Sequence, residues 1–134
     1  MRGSKAELVR GWLEKARRDL VVAEREAGSA APFTDIACFH AQQSAEKSLK
    51  AYLTWRGVPF PRTHALEDLV LLAAREDNSF ACLEEAAVQL TPYAVEARYP
   101  EFSEPAVEDA KEAVELARRI WSFVKQKIPE DAVG

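Results

Sequence analysis

Apolar residues recur along this chain at steps of three and four. In the first segment, Lys5 to Ala27, the residues Val9, Trp12, Ala16, Leu20, Ala23 and Ala27 form one stripe, the spacing of a helix that buries a single face. Gly28-Ser29 ends it, with Pro32 just beyond. A second helix is predicted from Thr34 to Arg56, capped by Thr34 or Asp35 and stopped by Gly57 and Pro59, with Cys38, Ala41, Ala45, Leu49 and Tyr52 inward. The breakers Gly57, Pro59 and Pro61 make a loop too short to separate two cores. A short helix follows from Ala65 to Arg75, with Leu66, Leu69, Val70 and Ala73 inward and Thr63 or His64 as its cap. After the turn Asp77-Asn78-Ser79, a fourth helix is predicted from Phe80 to Ala97, with a kink or restart at Thr91-Pro92. The last and most regular stripe is Val107, Ala110, Val114, Ala117, Trp121, Val124 and Ile128, with acids in its first half and bases in its last, the order that suits a helix dipole. No segment alternates with the period of a strand. The expected fold is all-α, an up-and-down bundle of four long helices and one short helix, in a single domain with Trp12, Leu20, Leu49, Leu90, Val114 and Trp121 buried.

Composition narrows the function classes. The 134 residues suffice for one core without disulfide or metal staples. The formal net charge of −4 lacks the basic excess of general nucleic-acid binders. Cys38 and Cys82 are distant from each other, form no metal-ligand spacing and read as two small buried hydrophobes of a reducing compartment. Met1 to Ala6 contains no apolar leader core and no run is long enough to span a membrane, so the expected location is the cytoplasm. With only two histidines, a multi-histidine metal site is not available within one chain. No Gly-rich phosphate loop, nucleophile elbow or HExxH is present, and no cofactor is implied.

The unusual feature is on the second helix. At 100° per residue His40, Gln43, Lys47 and Lys50 fall on one strip, within an arc of about 80°, bordered by Glu46. An imidazole, an amide and two ammonium groups in a row suit a base edge and a phosphate. The plainer interpretation is a solvated polar face, with His40 partly buried beside Phe39. Arg98-Tyr99 has the same two-sided reading: a clamp for an anion beside that strip, or a helix-end cap for carbonyls and a packed ring. In Arg62-Thr63-His64, Thr63 or His64 reads as the cap of the third helix.

The run Phe39-His40-Ala41-Gln42-Gln43-Ser44-Ala45-Glu46-Lys47-Ser48-Leu49-Lys50-Ala51 resembles the signature of HEPN domains. Thr63-His64-Ala65-Leu66 and Ala97-Arg98-Tyr99-Pro100 match that family's pattern in the same order. The resemblance implies a small helical bundle that often forms homodimers. It is often encoded beside a minimal nucleotidyltransferase, in pairs that look like toxin–antitoxin systems. Many members are ribonucleases that use an Arg followed a few residues on by a His. Arg98 matches that Arg, but no histidine follows it anywhere in this chain. The expectation is therefore a nucleotide-binding or nucleotidyltransferase-partner module with no catalytic residue of its own. His40, Gln43, Lys47, Lys50, His64, Arg98 and Tyr99 would line its cleft, and RNA is not the favoured ligand. A ribonuclease toxin, intact or degenerate, and a purely structural dimerisation domain are the alternatives.

Overall fold

The computed structural model describes residues 4–133; the N-terminal stretch read for a leader, Met1 to Ala6, falls partly outside them. Five α-helices and no strand occur among the described residues: α1 (Lys5–Ala27), α2 (Thr34–Arg56), α3 (Leu66–Glu76), α4 (Glu84–Leu90) and α5 (Val107–Lys127). None is long and apolar enough to cross a membrane.

Local chemistry explains most of the boundaries. Ser4 and Glu7 start α1 with a reciprocal pair: the Ser4 hydroxyl accepts from the Glu7 amide at 3.1 Å and the Glu7 carboxylate accepts from the Ser4 amide at 2.9 Å. Gly57 ends α2 at φ 72°, a left-handed conformation that glycine adopts without a Cβ penalty. The N-termini of α2 and α3 are capped differently from expectation. Phe33, not Thr34 or Asp35, is the α2 cap residue, and its amide donates to Glu26 of α1 at 2.8 Å. Ala65 occupies the α3 cap, where a side chain from elsewhere serves instead: the Leu66 amide donates to the Thr91 hydroxyl at 2.9 Å. Thr91 thus joins the start of α3 to the end of α4.

The fourth long helix is not continuous. A 3₁₀ turn over Asn78–Leu83 leads into seven residues of α4, and two further 3₁₀ turns follow, Thr91–Ala94 and Glu96–Arg98. The Asp77 carboxylate accepts from the Ser79 amide at 3.0 Å and holds the chain in the first of these. Pro92 has no amide hydrogen, so the α ladder cannot pass it, and the chain tightens to bonds such as Val95 N–H to Pro92 C=O at 3.1 Å. Phe80, Leu83, Ala87, Leu90 and Ala94 are buried all the same, because both helix types keep returning to the core face.

Helix α2 is the axis of the bundle, packed along α1 and α5 and touched by α3 and α4. Its buried side chains are mostly small (Ala37, Cys38, Ala41, Ala45 and Ala51), with Leu49, Tyr52 and Leu53 toward its end. The Ser44 hydroxyl donates to the Ala16 carbonyl of α1 at 2.8 Å, so the two helices approach closely. Leu20, Leu49, Leu90 and Val114 are buried as expected. Trp12 and Trp121 are only half-buried: each flat ring rests against the core's edge, with a lysine ammonium 5.5 Å and 5.4 Å from its centre, Lys50 and Lys125 respectively. Cys38 is buried but Cys82 is exposed, contrary to the sequence reading, because it points outward from the Asn78–Leu83 turn.

Candidate functional site

The polar strip of α2 is neither a solvated face nor an open cationic surface. Two carboxylates neutralise it. Asp19 of α1 binds both His40 Nδ1, at 2.8 Å, and Lys47 Nζ, at 2.6 Å. Glu46, on α2 itself, accepts from Lys50 Nζ at 2.9 Å and meets His64 Nδ1 at 3.0 Å. Glu46 is buried, which the reading of it as a border residue missed. Gln42 is also buried; its amide donates to Glu46 at 3.2 Å and to the His64 carbonyl at 3.1 Å, while Gln43 donates to the Gln42 side-chain oxygen at 2.8 Å. The Lys50 and Glu46 side chains are 14% and 7% exposed, so this pair is part of the interior.

Burial by itself would raise both carboxyl groups. For Asp19 the hydrogen bonds from His40 and Lys47 outweigh that cost and hold it below its ordinary value, and for Glu46 those from His64 and Lys50 do the same. Groups lowered in the folded state stabilise it fully above the unfolded carboxylate range, down to about pH 5, and that stability is lost as pH falls through their lowered values. The unfolding free energy should therefore decline below about pH 5, and Asp19→Asn should flatten the acid limb when denaturation is followed against pH. An acid limb of unchanged slope in that variant would show that Asp19 carries none of it.

The seven residues expected at a cleft separate into three groups. His40 and Lys47 meet on Asp19; Lys50 and His64 meet on Glu46, with Gln43 joined through Gln42. Arg98 and Tyr99 bind neither of these carboxylates. The Arg98 guanidinium lies 5.6 Å from the centre of the Phe39 ring and, among the described residues, caps no carbonyl; the His40 imidazole packs against the same ring nearly at right angles, the ring centres 5.4 Å apart. Beside Arg98 is a groove of about 380 Å³, lined by Asp35, Glu96, Tyr99, Phe102 and Glu104. Three carboxylates, Asp35, Glu96 and Glu104, share this groove with the one guanidinium, which makes its lining net negative. Tyr99 lies exposed along it. No group of His, Cys, Asp and Glu suited to a metal ion occurs among the described residues.

Asp19 is the residue the sequence reading missed. It lies one position before Leu20 and three after Ala16, on the edge of the α1 stripe, and a carboxylate at such a boundary is the available signal that it faces a cation on the next helix.

No curated protein sequence matches this chain. Two crystal structures resemble it closely. TT1696 from Thermus thermophilus is 36% identical and superposes with a TM-score of 0.77, over 91% of this chain and 99% of that one. ST0689, an archaeal HEPN homologue, is 30% identical with a TM-score of 0.72, over 90% and 98%. The profile of the HEPN domain matches residues 9–127, and the chain accordingly belongs to the HEPN domain family.

Proposed function

We propose that this chain is a HEPN module that binds a nucleotide, works as a homodimer beside a minimal nucleotidyltransferase in a toxin–antitoxin-like pair, and does not itself cleave RNA. The observation that carries the last part is that no histidine follows Arg98. Metal-independent RNA cleavage needs one group to take the 2′-hydroxyl proton and another to protonate the leaving oxygen, and imidazoles suit both tasks near neutral pH. His40 and His64 are each bound to a carboxylate that already holds a lysine, and no histidine follows Arg98. Tyr99, Glu101, Ser103 and Glu104 follow it instead, and the groove there has a net negative lining.

Support for the nucleotide part is family membership. A thermal-shift experiment with purified protein and adenine, guanine, cytosine and uracil nucleotides tests the binding: a saturating ligand of the folded state should raise the melting temperature by several degrees. Incubation with structured and single-stranded RNAs should yield no cleavage. RNA cleavage that disappears on Arg98→Ala or His40→Ala would replace this reading by that of a ribonuclease.

A further inference from the structure

Gly11 sits within the 23-residue helix α1, where glycine costs about 1 kcal/mol relative to alanine. Nothing inside the domain demands it: a Cβ built at Gly11 meets no atom within 4 Å. The missing side chain leaves open a groove of about 260 Å³ on the outer surface of α1, lined by Glu7, Leu8, Gly11, Trp12 and Lys15. Leu8 is 55% exposed there, and Trp12, though packed edge-on against Phe60 at 6.4 Å, still lines the groove.

The charges around it are unusual for this chain. On the groove's side of α1 stand three cations, Lys5, Lys15 and Arg18, with the carboxylate of Glu7 in its lining, while the whole chain is at −4. At 100° per residue Lys5, Leu8, Gly11, Trp12, Lys15 and Arg18 share one side of the helix, within about 140°. Lys15 makes no ion pair or side-chain hydrogen bond among the described residues, and Arg18 is held only by the exposed Glu14, at 3.0 Å. One turn beyond Lys15, Asp19 holds His40 and Lys47 of α2, and the Lys50 ammonium lies over the Trp12 ring, 5.5 Å from its centre.

An aromatic ring set among cations, with a flat approach beside it, is the arrangement that stacks a base and holds its phosphate. We infer that the α1 groove binds a nucleobase bearing a phosphate, with the base against Trp12 and over Gly11 and the phosphate at Lys15, toward Lys47. This rests on the nucleotide-binding reading above and gives it a location that the α2 strip and Arg98 do not. Mononucleotides and single-stranded RNA share this chemistry.

Tryptophan fluorescence and calorimetric titrations with AMP, ATP and a short single-stranded oligoadenylate separate these sources. If a chain is the ligand, the oligonucleotide binds much more tightly than AMP and with a steeper salt dependence; if a mononucleotide, they bind alike. Gly11→Leu fills the groove without removing a contact, and Trp12→Leu removes the stacking face. Each should weaken binding tenfold or more, and Lys15→Glu should weaken it and lower its salt dependence. Circular dichroism establishes that the variants are folded; Gly11→Leu, which adds helix propensity, keeps the test valid if Trp12→Leu unfolds. Binding that survives Gly11→Leu unchanged overturns the groove but leaves nucleotide binding standing. Absence of binding by every probe overturns both.

Discussion

Replacing Lys50 by Ala is expected to cost about 3–5 kcal/mol of folding stability, a large part of what a domain of this size has. The reason is the partner left behind. Glu46 is buried, 2.9 Å from Lys50 Nζ, and without that ammonium it keeps only the half-exposed His64 and the Gln42 amide. A charge without its counterion in that position either stays ionised at high cost or takes up a proton. Urea denaturation of the wild type and the variant at neutral pH measures the loss. A change below about 1 kcal/mol, the standard of exposed ion pairs, would show that the pair behaves as a surface bridge. The double variant Lys50→Met, Glu46→Leu should recover much of the stability, because it removes both charges together. Lys50→Ala is consequently a poor probe of ligand binding: weaker binding in that variant would follow from the damaged fold alone.

Phe80→Ala should be comparably severe, about 3–5 kcal/mol. Phe80 is fully buried, with its ring centre 4.2 Å from that of Tyr52 on α2 and 4.9 Å from that of Phe123 on α5. It is the anchor by which the irregular Asn78–Leu83 turn is fastened to the two central helices. The cavity left by its removal has α2 and α5 for walls, and two long helices packed side by side close little of it. Thermal denaturation followed by circular dichroism would show a fall in melting temperature of more than about 5 °C. A fall of only a degree or two would mean that the turn repacks around the gap.

The helices that depend on long apolar stripes were readable from sequence to within a residue: α1 and α2 begin and end where the pattern and the glycines place them, and α3 and α5 differ by one. The stretch after Asn78 was not, because a 3₁₀ turn and an α-helix bring the same residues inward over one or two turns, and only the hydrogen-bond spacing tells them apart. The candidate site was readable as a set of residues and not as a structure. His40, Lys47 and Lys50 share a strip, as their spacing requires, yet the charge of that strip depends on Asp19 in another helix and on whether Glu46 lies inside or outside. Periodicity along one helix carries no information on which neighbour covers it. A polar residue flanked by Ala45 and Lys47 has the same local pattern whether water or α3's leading loop lies beyond.

The hydroxyl bond from Ser44 to the Ala16 carbonyl sets the spacing of α1 and α2, and the alanines around it permit that spacing. Asp19 lies one turn further along α1 and reaches two cations on α2 from that distance. A single added methylene at Ala16, Ala41 or Ala45 would wedge the helices apart and lengthen both of those ionic contacts at once. The least functional-looking positions in the chain are thus the ones that tune its electrostatics: what an alanine there contributes is the length of a bond made by its neighbours.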